Sequence, residues 1–133
     1  MIKINRQNIT KTLSIGIMLM GAIHIAATFT PLIADNLALL PDKAQAAFTY
    51  FSLMCGTLLI LGGWTIYTLS AKVAKYTFVR KPYILALAIL NIAGILAVCY
   101  MRHNPFAWII FALAMGLMGA NMSQSCMRCM CCN

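Results

Sequence analysis

Acidic side chains are almost missing from this sequence. Of 133 residues only two are Asp or Glu, and charged residues of both signs make up 9% of the chain. Soluble domains carry about 25% charged residues, because their surfaces must face water. A chain this poor in charge turns its surface to lipid. The length excludes a second domain, since four spans with short connections use all of it. Tandem repeats are missing too. So is a disulfide framework: four of the six cysteines crowd into the last eight residues, while Cys55 and Cys99 sit alone in apolar runs. We expect those two to be ordinary buried thiols.

A nucleic-acid-binding face is the next absence. Ten Lys and Arg residues give a net charge of +8, but they cluster at the ends of apolar runs and form no stripe. Anionic headgroups and the insertion machinery select that placement. The expected partner of the positive charge is the lipid bilayer, not nucleic acid.

What the chain does have is apolar length: 62% of it is hydrophobic, with a mean hydropathy of +0.86. The stretch Thr12 to Ala34 is long enough to cross hydrocarbon as a helix, for which about 20 residues suffice. It carries His24 near its middle. Lys3, Arg6 and Lys11 would suit the head of a signal peptide, but the run behind them is too long and contains His24. We expect it to stay as the first span. Pro31, near its far end, can kink or end that helix without disturbing its middle.

Pro41-Asp42 is a helix start signal, with Pro in a first turn and an acid beside it. It opens a second helix over 42–70, with Tyr50, Trp64 and Tyr67 as interface anchors. Pro82 opens a third over 82–101. Asn104 as N-cap and Pro105 as first residue open a fourth over 105–122. The expected fold is all-α: an antiparallel four-helix transmembrane bundle over 1–125, followed by a Cys/Met-rich tail over 126–133. Four spans put eight of the ten basic residues on one face. Lys43, Arg102, Asp35 and Asp42 lie on the other. The positive-inside rule then places both termini in the cytoplasm.

A helix rises 1.5 Å per residue, which lets depths be compared. Counted from the outer ends of those spans, His24 and Asn91 each lie about 15 Å down, and Thr57 falls at the same level. The three are expected to meet as a polar layer. A neutral imidazole offers one donor and one acceptor, and a carboxamide can answer either. Gly21, His24, Thr28 and Pro31 form one small and polar stripe at helical spacing. Ser52, Gly56 and Gly63 form a second. Ala112, Gly116 and Ala120 form a third, with the small-xxx-small spacing of close helix contacts in lipid. These stripes are expected inside.

His24 has two readings. As packing, it donates to a carbonyl or to Asn91 and fixes helix registry, at about 0.6 kcal/mol for such a pair. As a site, it relays protons, contacts a ligand or binds haem. Bis-histidine haem needs a partner at matching depth, and His103 lies about 15 Å away at the outer surface.

The tail supplies Cys126, Cys129, Cys131 and Cys132 with methionines between them. Thiolate and thioether together suit a soft metal ion such as Cu(I), Zn(II) or Hg(II). Structural zinc prefers two separated knuckles, which this run lacks. Cysteines just past a membrane helix and beside a basic residue also suit S-acylation.

Gly21-Ala22-Ile23-His24, then Thr28, Pro41 and Phe51-Ser52-Leu53-Met54-Cys55-Gly56 running to Leu61-Gly62, form a recognisable pattern. It resembles small bacterial four-span membrane proteins with G-x-x-H in the first helix, DoxX-like in layout. The resemblance covers residues 13–120. It implies a four-helix bundle in the inner membrane and implies no particular activity.

The functional expectation is a non-enzymatic ligand-binding or accessory subunit, with His24, Asn91, Thr28 and Thr57 as its polar core. It acts as a homo-oligomer or within a larger membrane complex. Two alternatives stand beside it. One is a soft-metal transport or binding protein using the tail thiols. The other is a membrane redox or lipid-modifying enzyme with His24 as acid and base.

Overall fold

A computed structural model describes residues 6–73 and 75–130, without the side chains of 6, 32 and 122–130. The described chain is helical: α1 Arg6–Thr28, α2 Pro31–Leu37, α3 Asp42–Ser70, α4 Arg80–Tyr100 and α5 Pro105–Met130, with a 3-10 turn at Thr77–Val79.

Proline chemistry sets most of the breaks. Thr30 is extended, with φ −72° and ψ 148°, because Pro31 clashes with a helical residue before it. The ring then seeds α2 as its first residue. The first apolar run is therefore not one helix over 12–34. It stops at Thr28 and resumes as the short α2. Pro41 is likewise extended, and its carbonyl accepts from the Ala44 and Gln45 amides as α3 starts. At the last turn Asn104 Oδ1 accepts from the Phe106 amide at 2.9 Å, capping α5.

The four long helices pack in a ring, α1 on α3, α3 on α4, α4 on α5 and α5 on α1. Each neighbour runs antiparallel. On α1 and α3, Gly63 lies against Ser14 and Met18, whereas Gly56 lies against Gly21 and Ile25. On α4 and α5, Gly94 meets Phe111, and Tyr83 reaches Asn121. α1 and α3 make the closest contact. A Cβ at Gly21 would stand 2.7 Å from the Gly56 carbonyl oxygen, and one at Gly63 would stand 2.8 Å from that of Ser14. Only glycine lets two backbones come so near, as happens at helix crossings in lipid.

The interior is a narrow column of Ile17, Leu59, Ile66, Tyr83, Leu87, Leu90, Ile110 and Leu117. Most other large apolar side chains face outward, among them Leu19, Leu58, Leu61, Leu85, Ile92 and Ile109. No charged residue falls within 12–34, 44–71, 82–101 or 103–121. Water-facing helices carry charge on the outer face; these carry hydrocarbon. Three helices, Gln7–Thr28, Asp42–Ser70 and Thr77–Tyr100, are long and apolar enough to cross a membrane. A shorter apolar stretch covers Pro105–Asn121. The protein is a helical membrane protein.

One expected stripe lies at the margin of the interior. On α5 the buried positions are Ala107, Ile110, Ala114 and Leu117, whereas Ala112 and Gly116 are exposed, and Gly116 lies beside Leu13 of α1, which a Cβ there would meet at 3.3 Å. The larger Ile and Leu side chains take the interior because they fill it. Cys55 and Cys99 are also exposed, on the apolar outer surface rather than in the core.

Candidate polar site near one end of the bundle

Ser14, Thr28, Thr10 and Asn91 are the buried polar residues of the described chain. Thr28 belongs to a connected cluster. Its hydroxyl donates to the His24 carbonyl at 3.0 Å, the usual back-bond of a helical Thr. Its oxygen also lies 2.6 Å from Ser52 Oγ on α3, which lies 3.2 Å from His24 Nε2.

A hydroxyl has one proton, so two arrangements fit these distances. With the Thr28 proton on the carbonyl, Ser52 donates to Thr28 and accepts from Nε2–H of a neutral His24. With the Thr28 proton on Ser52, Ser52 donates to Nε2 and the imidazole proton sits on Nδ1. In both, Nε2 is engaged and Nδ1 has no hydrogen-bond partner among the described residues.

Phe106 covers one face of the imidazole, with ring centroids 5.2 Å apart and planes tilted by 30°. The Asn104 cap holds that phenyl in place at the second residue of α5. The same turn is pinned by Trp108, whose indole N–H donates to the Arg102 carbonyl at 2.9 Å.

The site is shallower than the sequence spacing suggests. α1 ends at Thr28, so His24 lies only four residues, about 6 Å, from its helix end. Asn91 lies nine residues, about 13 Å, from the end of α4. The expected shared layer does not form. His24 and Thr28 come together with Ser52, and Asn91 stands apart. The Asn91 amide donates to the Leu87 carbonyl at 2.9 Å, while Oδ1 is buried with no partner. Thr57 faces outward and donates to Leu53 at 2.8 Å within its own helix.

Cys126 and Cys129 lie on α5, but their side chains fall outside the described part. Cys131 and Cys132 lie outside the described residues altogether. Among the described residues no three His, Cys, Asp or Glu side chains group closely enough to hold a metal ion.

Sequence reasoning missed three functional or structural partners. Ser52 was a member of a stripe, and its facing of the antiparallel Gly21/His24/Thr28 stripe is the signal that finds it. Phe106 follows the Asn104-Pro105 start and gave no separate signal. Tyr83 donates to Asn121 Oδ1 at 2.7 Å, tying α4 to α5 at the opposite end from His24.

No family model, curated protein or solved structure matches the chain.

Proposed function

We propose that this is a four-span integral protein of the bacterial inner membrane, with both termini and the α3–α4 turn in the cytoplasm. Its role is non-enzymatic: it binds a small ligand, or serves as an accessory subunit, through His24. The single observation that carries this reading is the circuit of His24, Ser52 and Thr28, which engages Nε2 and leaves Nδ1 without a partner among the described residues. An imidazole with one nitrogen fixed and the other open can meet one polar atom of a ligand, and Phe106 supplies an apolar wall beside it. We place the protein beside the DoxX-like four-span proteins with G-x-x-H in their first helix.

Helix lengths support the span assignment. Lys11 and Thr28, the end of α1, are 17 residues apart, about 25 Å as a helix, close to the hydrocarbon thickness of about 30 Å. Tyr50 and Tyr67 are 17 apart on α3, about 25 Å.

Diethyl pyrocarbonate acylates an open, unprotonated imidazole nitrogen and so tests the site. His24 is expected to be protected in native membranes, where its ligand is present. It should become reactive in the purified, folded chain. Equal reactivity in both, with full growth of a His24→Asn strain, would leave packing as the whole role of His24.

A further inference from the structure

The end of the bundle opposite His24 carries positive charge that no acidic side chain near it balances. Lys11, near the start of α1, sits with its Nζ 5.7 Å from the Tyr67 ring centre. Lys72 and Lys75 follow α3, and Arg80 and Lys81 start α4, so five described cations share this end. The only two acidic residues of the chain, Asp35 and Asp42, belong to α2 and to the first turn of α3. Asp42 is 28 residues from Ser70, the last residue of α3, about 42 Å along the helix axis. The Debye length at physiological salt is about 8 Å. Neither carboxylate can neutralise the basic end.

The backbone of the turn between α3 and α4 is tied to the bundle. Val73 and Tyr76 amides donate to the Leu69 and Lys72 carbonyls at 2.9 Å each. Val79 is buried, tying the turn into the bundle. Lys75 lies 5.5 Å from the Tyr76 ring centre, and Lys72, Lys75, Arg80 and Lys81 are all exposed. Tyrosine beside lysine is the pairing found where hydrocarbon gives way to headgroups.

We propose that this end is a binding face for anionic phospholipid headgroups, with Lys72, Lys75, Arg80 and Lys81 gripping the phosphodiester. Zwitterionic lipid brings an ammonium for every phosphate and cannot relieve the excess. Only a lipid with net negative charge does so. The inference rests on the membrane reading and not on the His24 site.

Native mass spectrometry of the purified full chain in neutral detergent tests it, with phosphatidylglycerol and phosphatidylethanolamine offered at equal concentration. The wild type is expected to retain phosphatidylglycerol about tenfold better. A variant with Lys72→Gln, Lys75→Gln, Arg80→Gln and Lys81→Gln should lose that preference. Lys43→Gln with Arg102→Gln, at the other end, should keep it. If the fourfold variant does not fold, the wild type decides alone. Raising salt from about 0.1 to about 1 M cuts the Debye length from about 10 to about 3 Å, and the preference must fall with it. Equal retention of both lipids, or a preference indifferent to salt, overturns the proposal. So does displacement by inorganic phosphate at the lipid's concentration, which would show a free-anion site instead. These outcomes concern lipid choice alone. A wrong span assignment would show in topology labelling instead.

Discussion

Asn91 holds a carbonyl oxygen that nothing in the described chain answers. A buried acceptor without a partner costs about 1–3 kcal/mol, whereas an apolar group of the same shape costs nothing of the kind. Asn91→Leu is therefore expected to leave the melting temperature unchanged or raise it. A clear drop in a thermal scan would show that Oδ1 is engaged. Tyr83 is the opposite case. Tyr83→Phe removes the donor to Asn121, and we expect a loss of about 0.6 kcal/mol, at most about 1.7, in reversible unfolding. Thr57→Val should change nothing measurable, because that hydroxyl only bonds back to its own helix. His24 and Thr28 were legible in the sequence as a polar stripe. Their true level was not. A run that reads as helix to Ala34 is ended early by Pro31, which forces Thr30 out of helical backbone. Those few residues moved the imidazole away from Asn91 and beside Ser52.

At the scale of whole helices, glycine governs α1 against α3. A side chain at Gly56 would meet the Gly21 carbonyl oxygen at 2.9 Å as well as Ile25. A backbone atom cannot turn aside as a flexible side chain can. Gly56→Val should part the two helices and destabilise by about 1–3 kcal/mol, the usual range for overpacking. It should also break the Ser52–His24 contact one turn away. Gly119 meets nothing within 4 Å, so Gly119→Ala is expected to be neutral or to stabilise by up to about 1 kcal/mol. Chemical denaturation of both variants in detergent checks the pair. The starts of α3 and α5 were readable from Pro41-Asp42 and Asn104-Pro105, because proline and a capping side chain act locally. The inward face of α5 was readable only in part. Gly116, in the expected stripe, does lie beside Leu13 of α1, yet Ile110 and Leu117 fill the interior, and one residue's rotation about the helix decides between them.

On the scale of the molecule, charge and hydrocarbon are sorted by position along the bundle axis. The helices expose leucine and isoleucine along their length, one end is basic, and both carboxylates lie toward the other. Composition made this much plain, because an apolar surface that long has only lipid to face. What composition could not supply is the order of the ring, with α1 between α3 and α5, since that depends on which faces carry glycine. The direct test is labelling of intact cells with a membrane-impermeant maleimide. Single cysteines would be placed at Lys75 and at His103 in a chain whose native cysteines are replaced by alanine. The account predicts that His103→Cys reacts in intact cells and that Lys75→Cys reacts only after permeabilisation. Labelling of both positions from the same side would contradict it.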